Sequence, residues 1–449
     1  MERRTACPAH PKGGASAVRQ ARPGTGPALT IRRPTRALLT AELAERRTFQ
    51  LERWRSVAAG ITETANSTFL GVVAIQHFHA SQTAKGILLT NTSLGLLLAP
   101  LILWFVGHRG WSASRGIAVF SAIAAVACAG AAVNDLTVFS AGSVIAYMAA
   151  AAIAPLYTII YEANYRAATR GLLFSRNYFL RILSNIAFAL VAGKLLQHNL
   201  AWYPWVLGAY AVCFAFSALV VSRMPAVRVE PAAGRNPLAA LRHVRDDLRF
   251  RWTLVSWMFL GFANLCMFPL RTEYLAHERY GLRLDPNDVA LYTAVIPNLA
   301  RLCFNPIWGP LFDRMNFFNL RIILNTGFML GFLSFFTASS AQDHFGLVLG
   351  AVLFGISNAG ADVVWNLWVT KIATPDKTAE YMAVHSFLTG VRGVIAPILA
   401  FQLIATHDIR YVAFACAGLV IVASLLLWRE KSALRGLPEQ SELPEQGVE

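Results

Sequence analysis

The chain is predicted to be an all-α integral membrane protein, with twelve transmembrane helices arranged as two pseudo-symmetric six-helix bundles. Three observations lead there. Only 14% of the 449 residues are charged and 55% are hydrophobic, whereas a soluble chain carries roughly a quarter charged residues. About half of any folded surface is built from apolar atoms, and a surplus of this size calls for lipid as the solvent. Second, apolar segments long enough to cross about 30 Å of hydrocarbon at 1.5 Å per residue recur twelve times. Third, the Lys and Arg residues gather in alternate connections.

Residues 1–52 form a basic tail. Up to about residue 38 it is rich in Arg, Pro, Gly and Ala, nearly free of acids and without apolar periodicity, which predicts a disordered cytoplasmic segment. No continuous apolar core marks a signal peptide; an Arg-rich targeting peptide or an early start codon are alternatives. Over 40–54 a short interfacial helix is expected, capped by Thr40 with Glu42 in its first turn.

The spans are placed near 56–77, 86–106, 116–134, 138–160, 174–197 and 203–222, then 253–275, 288–312, 320–339, 345–370, 382–405 and 410–428. The first six make an N-terminal bundle over 53–222 and the second six a C-terminal bundle over 252–430, with a cytoplasmic tail at 431–449. Between them, 223–251 is the longest internal hydrophilic stretch. From Asn236 it reads as an amphipathic helix on the inner leaflet: Asn236 caps, Pro237 takes the first helical position, and Leu238, Leu241, Val244 and Leu248 recur near helical spacing. Arg242, Arg245 and Arg249 would then face lipid phosphates, unless the helix is a solvated linker.

With both termini inside, the cytoplasmic segments hold about 31 of the 40 Lys and Arg residues. The outer loops hold Lys85, Arg271, Arg279, Arg283 and Arg410. The formal charge of +15 is therefore topological, not the footprint of a nucleic-acid binder. Five of the six cysteines lie inside apolar segments with no CxxC or His/Cys cluster, and read as packing residues; no metal or cofactor site is indicated. His77 and His79 form only a weak H-x-H hint.

The halves share faint self-similarity. Arg53-Trp54 opens the first span and Arg251-Trp252 the seventh, and thirteen residues after each Arg stands Asn66 or Asn264. Pro100 matches Pro306, and Phe179-Leu180 matches Phe387-Leu388. Such duplication suits transporters that bind substrate between repeats near the midplane.

Between the eighth and ninth spans the chain reads N-P-I-W-G-P-L-F-D-R-M-N-F-F-N-L-R over 305–321. It resembles the loop signature of the major facilitator superfamily, roughly Gly-x-Leu-x-Asp-Arg-x-Gly-x-Arg, through Gly309, Leu311, Asp313, Arg314 and Arg321. Met315 and Asn316 stand where the family has its second glycine. The first-half copy, 107–115, keeps Arg109, Gly110 and Arg115 but has His108 in place of the acid. The resemblance covers about residues 53–430. It implies two bundles around a central cavity, alternating access by rocking, and a conformational latch at Gly309, Asp313, Arg314, Arg321 and Arg109. No drug-antiporter or sugar-porter subfamily signature is present.

An ionisable side chain inside hydrocarbon costs at least about 2.5–3.5 kcal/mol, so each one faces a cavity or a partner. Glu63, Arg181, Lys194, Arg301, Asp362 and Arg392 stand within the predicted spans. Arg301 and Arg392, near mid-depth, suit a carboxylate or phosphate bidentately and are candidate ligands of an anionic substrate; a structural pair with an acid such as Asp362 is the alternative. Glu63 and Asp362 are candidates for binding a coupling proton, with hydrogen-bonding or ion-pair roles as the alternatives. Asn358, Asp362, Trp365 and Asn366 share one helical face, and with Asn66 and Asn264 they are candidate cavity residues.

The expectation is a monomeric, multi-pass secondary transporter in the cell membrane. It would move a small, preferably anionic, organic solute with protons, without a cofactor or nucleic-acid partner. Drug or metabolite efflux is the nearer alternative. A non-transporting receptor or a polytopic membrane enzyme is the alternative of another class, although no P-loop, G-x-G-x-x-G after a strand, or HExxH is present.

Overall fold

The computed structural model describes residues 36–229, 241–280, 282–338, 344–372 and 378–435. The tails at 1–35 and 436–449 and the start of the expected linker helix, 236–240, lie outside the described residues. The chain divides into two units, Met1–Glu42 and Leu43–Glu449; of the first, residues 36–42 are helical.

Every long element is a helix. α1 (36–77) joins Arg36–Thr64, a π-turn Ala65–Phe69, Leu70–Val72 and a second π-turn Val73–His77. α2 (82–108) is Gln82–Leu88 followed, after a two-residue break, by Asn91–His108. α3 is Ala113–Gly130, α4 Leu136–Asn164 with a break at Ile153, α5 Ala167–His198 and α6 Tyr203–Ser222. A short turn Arg242–Asp246 precedes α7, Leu248–Ala276. α8 (286–314) joins Pro286–Ala290, a π-turn Leu291–Val295 and Ile296–Arg314. α9 is Phe317–Thr337, α10 His344–Leu367, α11 Thr378–Thr406 and α12 Ile409–Arg435.

Local chemistry sets the starts. The side chains of Ser81, Ser112, Asp135, Asp247, Asp285 and Asn316 each accept a hydrogen bond from a backbone N–H two or three residues on, at 2.9–3.2 Å, satisfying donors that have no partner within the helix. Asp247 corrects the linker reading. Leu248, assigned to an amphipathic linker helix, belongs to α7, because Asp247 breaks the run and caps the next one.

Among the described residues ten helices are each long and apolar enough to cross a membrane. They are α2–α7 and α9–α12. The other two predicted spans, the first and eighth, correspond to α1 and α8, whose apolar parts are divided by π-turns.

In the N-terminal bundle α2 packs on α4, and α3 on α4 and α6; in the C-terminal bundle α8 packs on α10, and α9 on α10 and α12. Between bundles α2 meets α11, α5 meets α8, and α1 meets α7. The contacts α2–α11 and α5–α8 exchange under the operation that carries α1–α6 onto α7–α12, as a duplicated half requires. Both need a bare backbone. A Cβ on Gly86 would stand 3.0 Å from Ile398 Cα, and one on Gly193 would stand 3.0 Å from Asn287 Cα.

Large apolar side chains point outward, among them Val126, Val212 and Leu425. Several exposed aromatic residues lie at two levels. Trp54, Trp104, Trp252 and Trp428 lie towards the face that carries the α2–α3, α6–α7 and α8–α9 connections, here the proximal face. Trp205, Phe345 and Tyr411 lie towards the opposite, distal face. These are the positions of interfacial aromatic belts.

The helix expected at the membrane interface over 40–54 is continuous with the first span, and Thr40 lies inside it. Glu45, Thr48, Glu52 and Ser56 recur every three or four residues and are all buried, so this face docks on the N-terminal bundle. Glu45 accepts hydrogen bonds from the Arg166 backbone N–H at 2.9 Å, the Arg166 guanidinium at 2.9 and 3.2 Å and the Thr169 hydroxyl at 2.8 Å. Glu52 accepts from Tyr161 at 2.6 Å and Arg55 at 2.7 Å.

On the distal face the halves are tied together. Lys85 of α2 and Glu273 of α7 form an ion pair at 2.5 Å, with side chains only 2% and 1% exposed. Around it Gln82 donates to Glu273 at 3.3 Å, Gln76 to the carbonyls of Ala276 and Leu284 at 3.1 and 2.8 Å, and Gln402 to Thr83 at 2.8 Å. Lys85 and Arg271 were expected in outer loops. Both are instead helical and buried, with Arg271 3.9 Å from the ring centroid of Phe354, because an acid partner for Lys85 and aromatic rings around Arg271 let these charges stay inside.

Removing one partner of a buried pair leaves an uncompensated charge, at a cost of about 3–5 kcal/mol. Lys85→Met should therefore open the distal face and speed labelling of a Gln402→Cys reporter by an impermeant maleimide, while Lys85→Met with Glu273→Leu should restore slow labelling. The Arg166 guanidinium holds the Glu45 carboxyl down at about 2, against an ordinary 4.5. Its contribution is thus complete above about pH 4.5 and is lost as pH falls towards 2. Glu45→Gln should mimic that loss at neutral pH, read as faster tryptic cleavage at Arg46 and Arg47.

Candidate functional site

Five polar side chains from four helices meet between the halves. Glu63 comes from α1, Tyr178 and Arg181 from α5, Arg301 from α8 and Asp362 from α10. Tyr178 and Arg181 are three residues apart and so share a face of α5. Arg301 stands six residues beyond the π-turn of α8. Such a turn admits one extra residue and rotates the remainder of the helix by about 100° relative to an unbroken α-helix, which sets the direction of Arg301. In α1 a π-turn begins two residues after Glu63.

Arg301 holds Asp362 with two near-parallel hydrogen bonds, Nε to Oδ2 at 2.6 Å and Nη2 to Oδ1 at 2.8 Å. It also reaches Glu63 Oε1 of the other half at 3.6 Å. Arg181 Nε donates to Glu63 Oε2 at 2.7 Å. Tyr178 bridges back, donating to Asp362 Oδ2 at 3.3 Å and accepting from Arg301 Nη2. Asn298, one turn before Arg301, donates to Asn185 of α5 at 2.9 Å. Two guanidinium groups and two carboxylates thus balance in charge. Glu63, Asp362 and Arg181 keep 30%, 32% and 37% of their side-chain surface exposed, so the group borders accessible space.

The structure does not bring Arg392 to this group. Arg392 is 8% exposed and turns into the C-terminal bundle, where it donates to the Trp257 carbonyl at 2.5 Å and to Thr389 at 3.1 Å. Gly261 has no side chain in the space that its guanidinium fills. Trp365 lies on the same side, its ring centroid 5.5 Å from that of His385. Asn66 braces α1 on α2, donating to Thr92 at 2.9 Å and accepting from Asn91 at 2.8 Å. Asn264 and Asn358 are half-buried, and the Oδ1 atom of Asn264 is buried without a hydrogen bond.

The expected latch residues separate. Arg314 is exposed at the end of α8, and a side chain at Gly309 would meet nothing within 4 Å. The Asp313 side chain lies outside the described residues, as does that of Asn366. Arg321 is fully buried, its Cζ 3.4 Å from the ring centroid of Trp257. Arg109 is exposed over Phe105, and His108 stacks on Trp104.

Of the residues in the network, the sequence pointed to Glu63, Arg181, Arg301 and Asp362 but gave Arg181 no role. Tyr178, Glu273 and His385 were missed. The Tyr178–Arg181 spacing, and an acid inside the predicted seventh span, were the available signals.

The chain resembles solved transporters in fold. These include the nucleoside transporter NupG, at a TM-score of 0.66 and 16% identity, with 88% of this chain and 100% of that one covered. A D-xylose-proton symporter aligns at 0.61 and 15%, covering 88% and 98%. A POT family transporter in complex with a thioalcohol-conjugated peptide aligns at 0.68 and 12%, covering 86% and 96%. No curated protein sequence matches. The family model of the Major Facilitator Superfamily matches residues 56–341 and 279–447. With that match over most of its length and the six-plus-six helical fold, the chain belongs to the Major Facilitator Superfamily of membrane transporters.

Proposed function

We propose that this transporter is a symporter that carries a small organic anion together with a proton by alternating access. The observation behind this reading is that Arg301 is shared between a carboxylate of its own half, Asp362, and one of the opposite half, Glu63. With both acids ionised, Arg181 and Arg301 are neutralised internally, and no net charge has to move when the halves rock. A proton on Glu63 or Asp362 leaves a guanidinium without its counter-charge. A carboxylate or phosphate group on the substrate restores the balance, and Arg301 can grip it bidentately. Proton and anion are then needed together, because either alone leaves an uncompensated charge in the low-dielectric interior.

The partial exposure of Glu63, Asp362 and Arg181 suits contact with a solute. The asymmetry of Lys and Arg supports cytoplasmic ends and a cell-membrane location. Solved relatives in fold include a D-xylose-proton symporter and proton dependent oligopeptide transporters, which supports proton coupling as a reading. Asn66, Asn264 and Asn358 remain candidates for the cavity wall. Arg392 is the weaker of the two arginine candidates, because it faces the bundle interior.

In proteoliposomes with an inward proton gradient, and with an organic anion chosen by thermal-shift screening, Arg301→Gln should lower uptake kcat/KM roughly hundredfold, the worth of a charged, bidentate contact of about 3 kcal/mol. Glu63→Gln should abolish gradient-driven accumulation while preserving exchange of labelled for unlabelled substrate. Wild-type accumulation by Glu63→Gln would remove it as the coupling acid. For the latch, Asp313→Asn should slow uptake far more than His108→Asn; equal effects would remove the asymmetry between the two loops.

A further inference from the structure

A second cationic group lies inside the C-terminal half, apart from the network at Arg301. Arg321 at the start of α9 is 0% exposed. None of its three guanidinium nitrogens has a hydrogen-bond partner. Arg392 of α11 donates to the Trp257 carbonyl and Arg321 lies over the Trp257 ring, so both guanidinium groups adjoin this residue, whose ring is 5.2 Å from that of His385. Among the described residues neither arginine is in an ion pair. The Nε of Arg392, the indole Nε1 atoms of Trp257 and Trp368, and both ring nitrogens of His385 are also buried without partners.

The chamber is compact. The His385 ring centroid lies 5.2 Å from those of Trp257 and Trp368 and 5.5 Å from that of Trp365. The Trp257 and Trp368 centroids are 5.9 Å apart. Arg321 lies over the face of Trp257, which offers weak attraction to a cation but no hydrogen-bond acceptor.

The group is chemically one-sided: two cations and two indole donors are buried together, and among the described residues only the Trp257 carbonyl and the Thr389 hydroxyl, both taken by Arg392, accept from them. Buried guanidinium groups keep company with acceptors or counter-charges, because leaving water without them is costly. We propose that this chamber binds a small inorganic anion of the chloride or nitrate class, held by Arg321, Arg392 and the indole N–H groups of Trp257 and Trp368. The enclosure sets the size. Arg321, His385 and Trp368 are all 0% exposed, which excludes an extended organic solute. The aromatic walls select a monovalent charge, since a dianion would lose far more hydration on entry. The site does not depend on the symport reading, because it shares no residue with the Glu63–Arg301–Asp362 network. Arg321 belongs to the α8–α9 signature, so the anion would fasten that loop to α7, α10 and α11.

The test uses the purified full-length protein in lipid nanodiscs, with gluconate exchanged for chloride, nitrate or succinate at constant ionic strength. Chloride and nitrate should raise Tm by several degrees along a saturating curve, and succinate should not. Arg321→Gln should raise the half-saturating chloride concentration at least tenfold. Trp257→Phe keeps the ring but removes the donor; it should raise that concentration severalfold, and it decides the matter if Arg321→Gln does not fold. A flat or non-saturating chloride response in the wild type, an unchanged curve in a folded variant, or saturation by succinate alone would overturn the proposal.

Discussion

A charge held within a membrane has to be balanced where it stands, and in this chain the balancing groups come from opposite halves of a duplicated fold. Arg301 is bound to Asp362 on its own bundle and reaches Glu63 on the other, which is itself held by Arg181. No member can change charge or move far without disturbing a group across the interface. That constraint ties a local event, the arrival of a proton or an anion, to the relative position of two six-helix bodies. The fold serves it by simple means. The contacts α5–α8 and α2–α11 bring the halves close through glycines, and a π-turn in α8 directs Arg301 towards its partners.

Two further charged groups show how differently the same problem can be met. At the distal face Lys85 and Glu273 bury a full ion pair across α2 and α7. It holds the halves together only while both charges are present, and it belongs to closure. Inside the C-terminal bundle Arg392 has a backbone and a hydroxyl partner, Arg321 has only an aromatic wall, and neither has an acid among the described residues. The network at Arg301 lies between these extremes: balanced, yet partly exposed. Balance lets it rest without substrate, and exposure lets a solute replace one of its members.

Much of this was legible in the sequence. Hydropathy and the six-plus-six spacing anticipated the helices, because lipid requires each span to satisfy its own backbone. The rarity of charge inside spans picked out Glu63, Arg301 and Asp362, and the structure brings these three together. Other parts were hidden for physical reasons. Lys85 and Arg271 were assigned to outer loops because a charge is costly in lipid, whereas tertiary pairing or an aromatic cage lets a charge stay inside. Arg392 has the right depth, but depth along a helix does not say which side it faces; the close packing of Gly390 and Gly393 on α2 turns it into the bundle. The buried polar face of α1, from Glu45 to Ser56, read as interfacial because composition does not reveal that its partners, Arg166 and Tyr161, lie more than a hundred residues away.

The sharing of Arg301 between halves is tested most directly by a double-mutant cycle on thermal stability in nanodiscs, using Glu63→Gln, Arg301→Gln and the double variant. The account predicts strong non-additivity, with a coupling energy of about 1–3 kcal/mol, because each charge loses a partner when the other is removed. Effects that add to within about 0.5 kcal/mol would show that Glu63 and Arg301 act independently, and would contradict it.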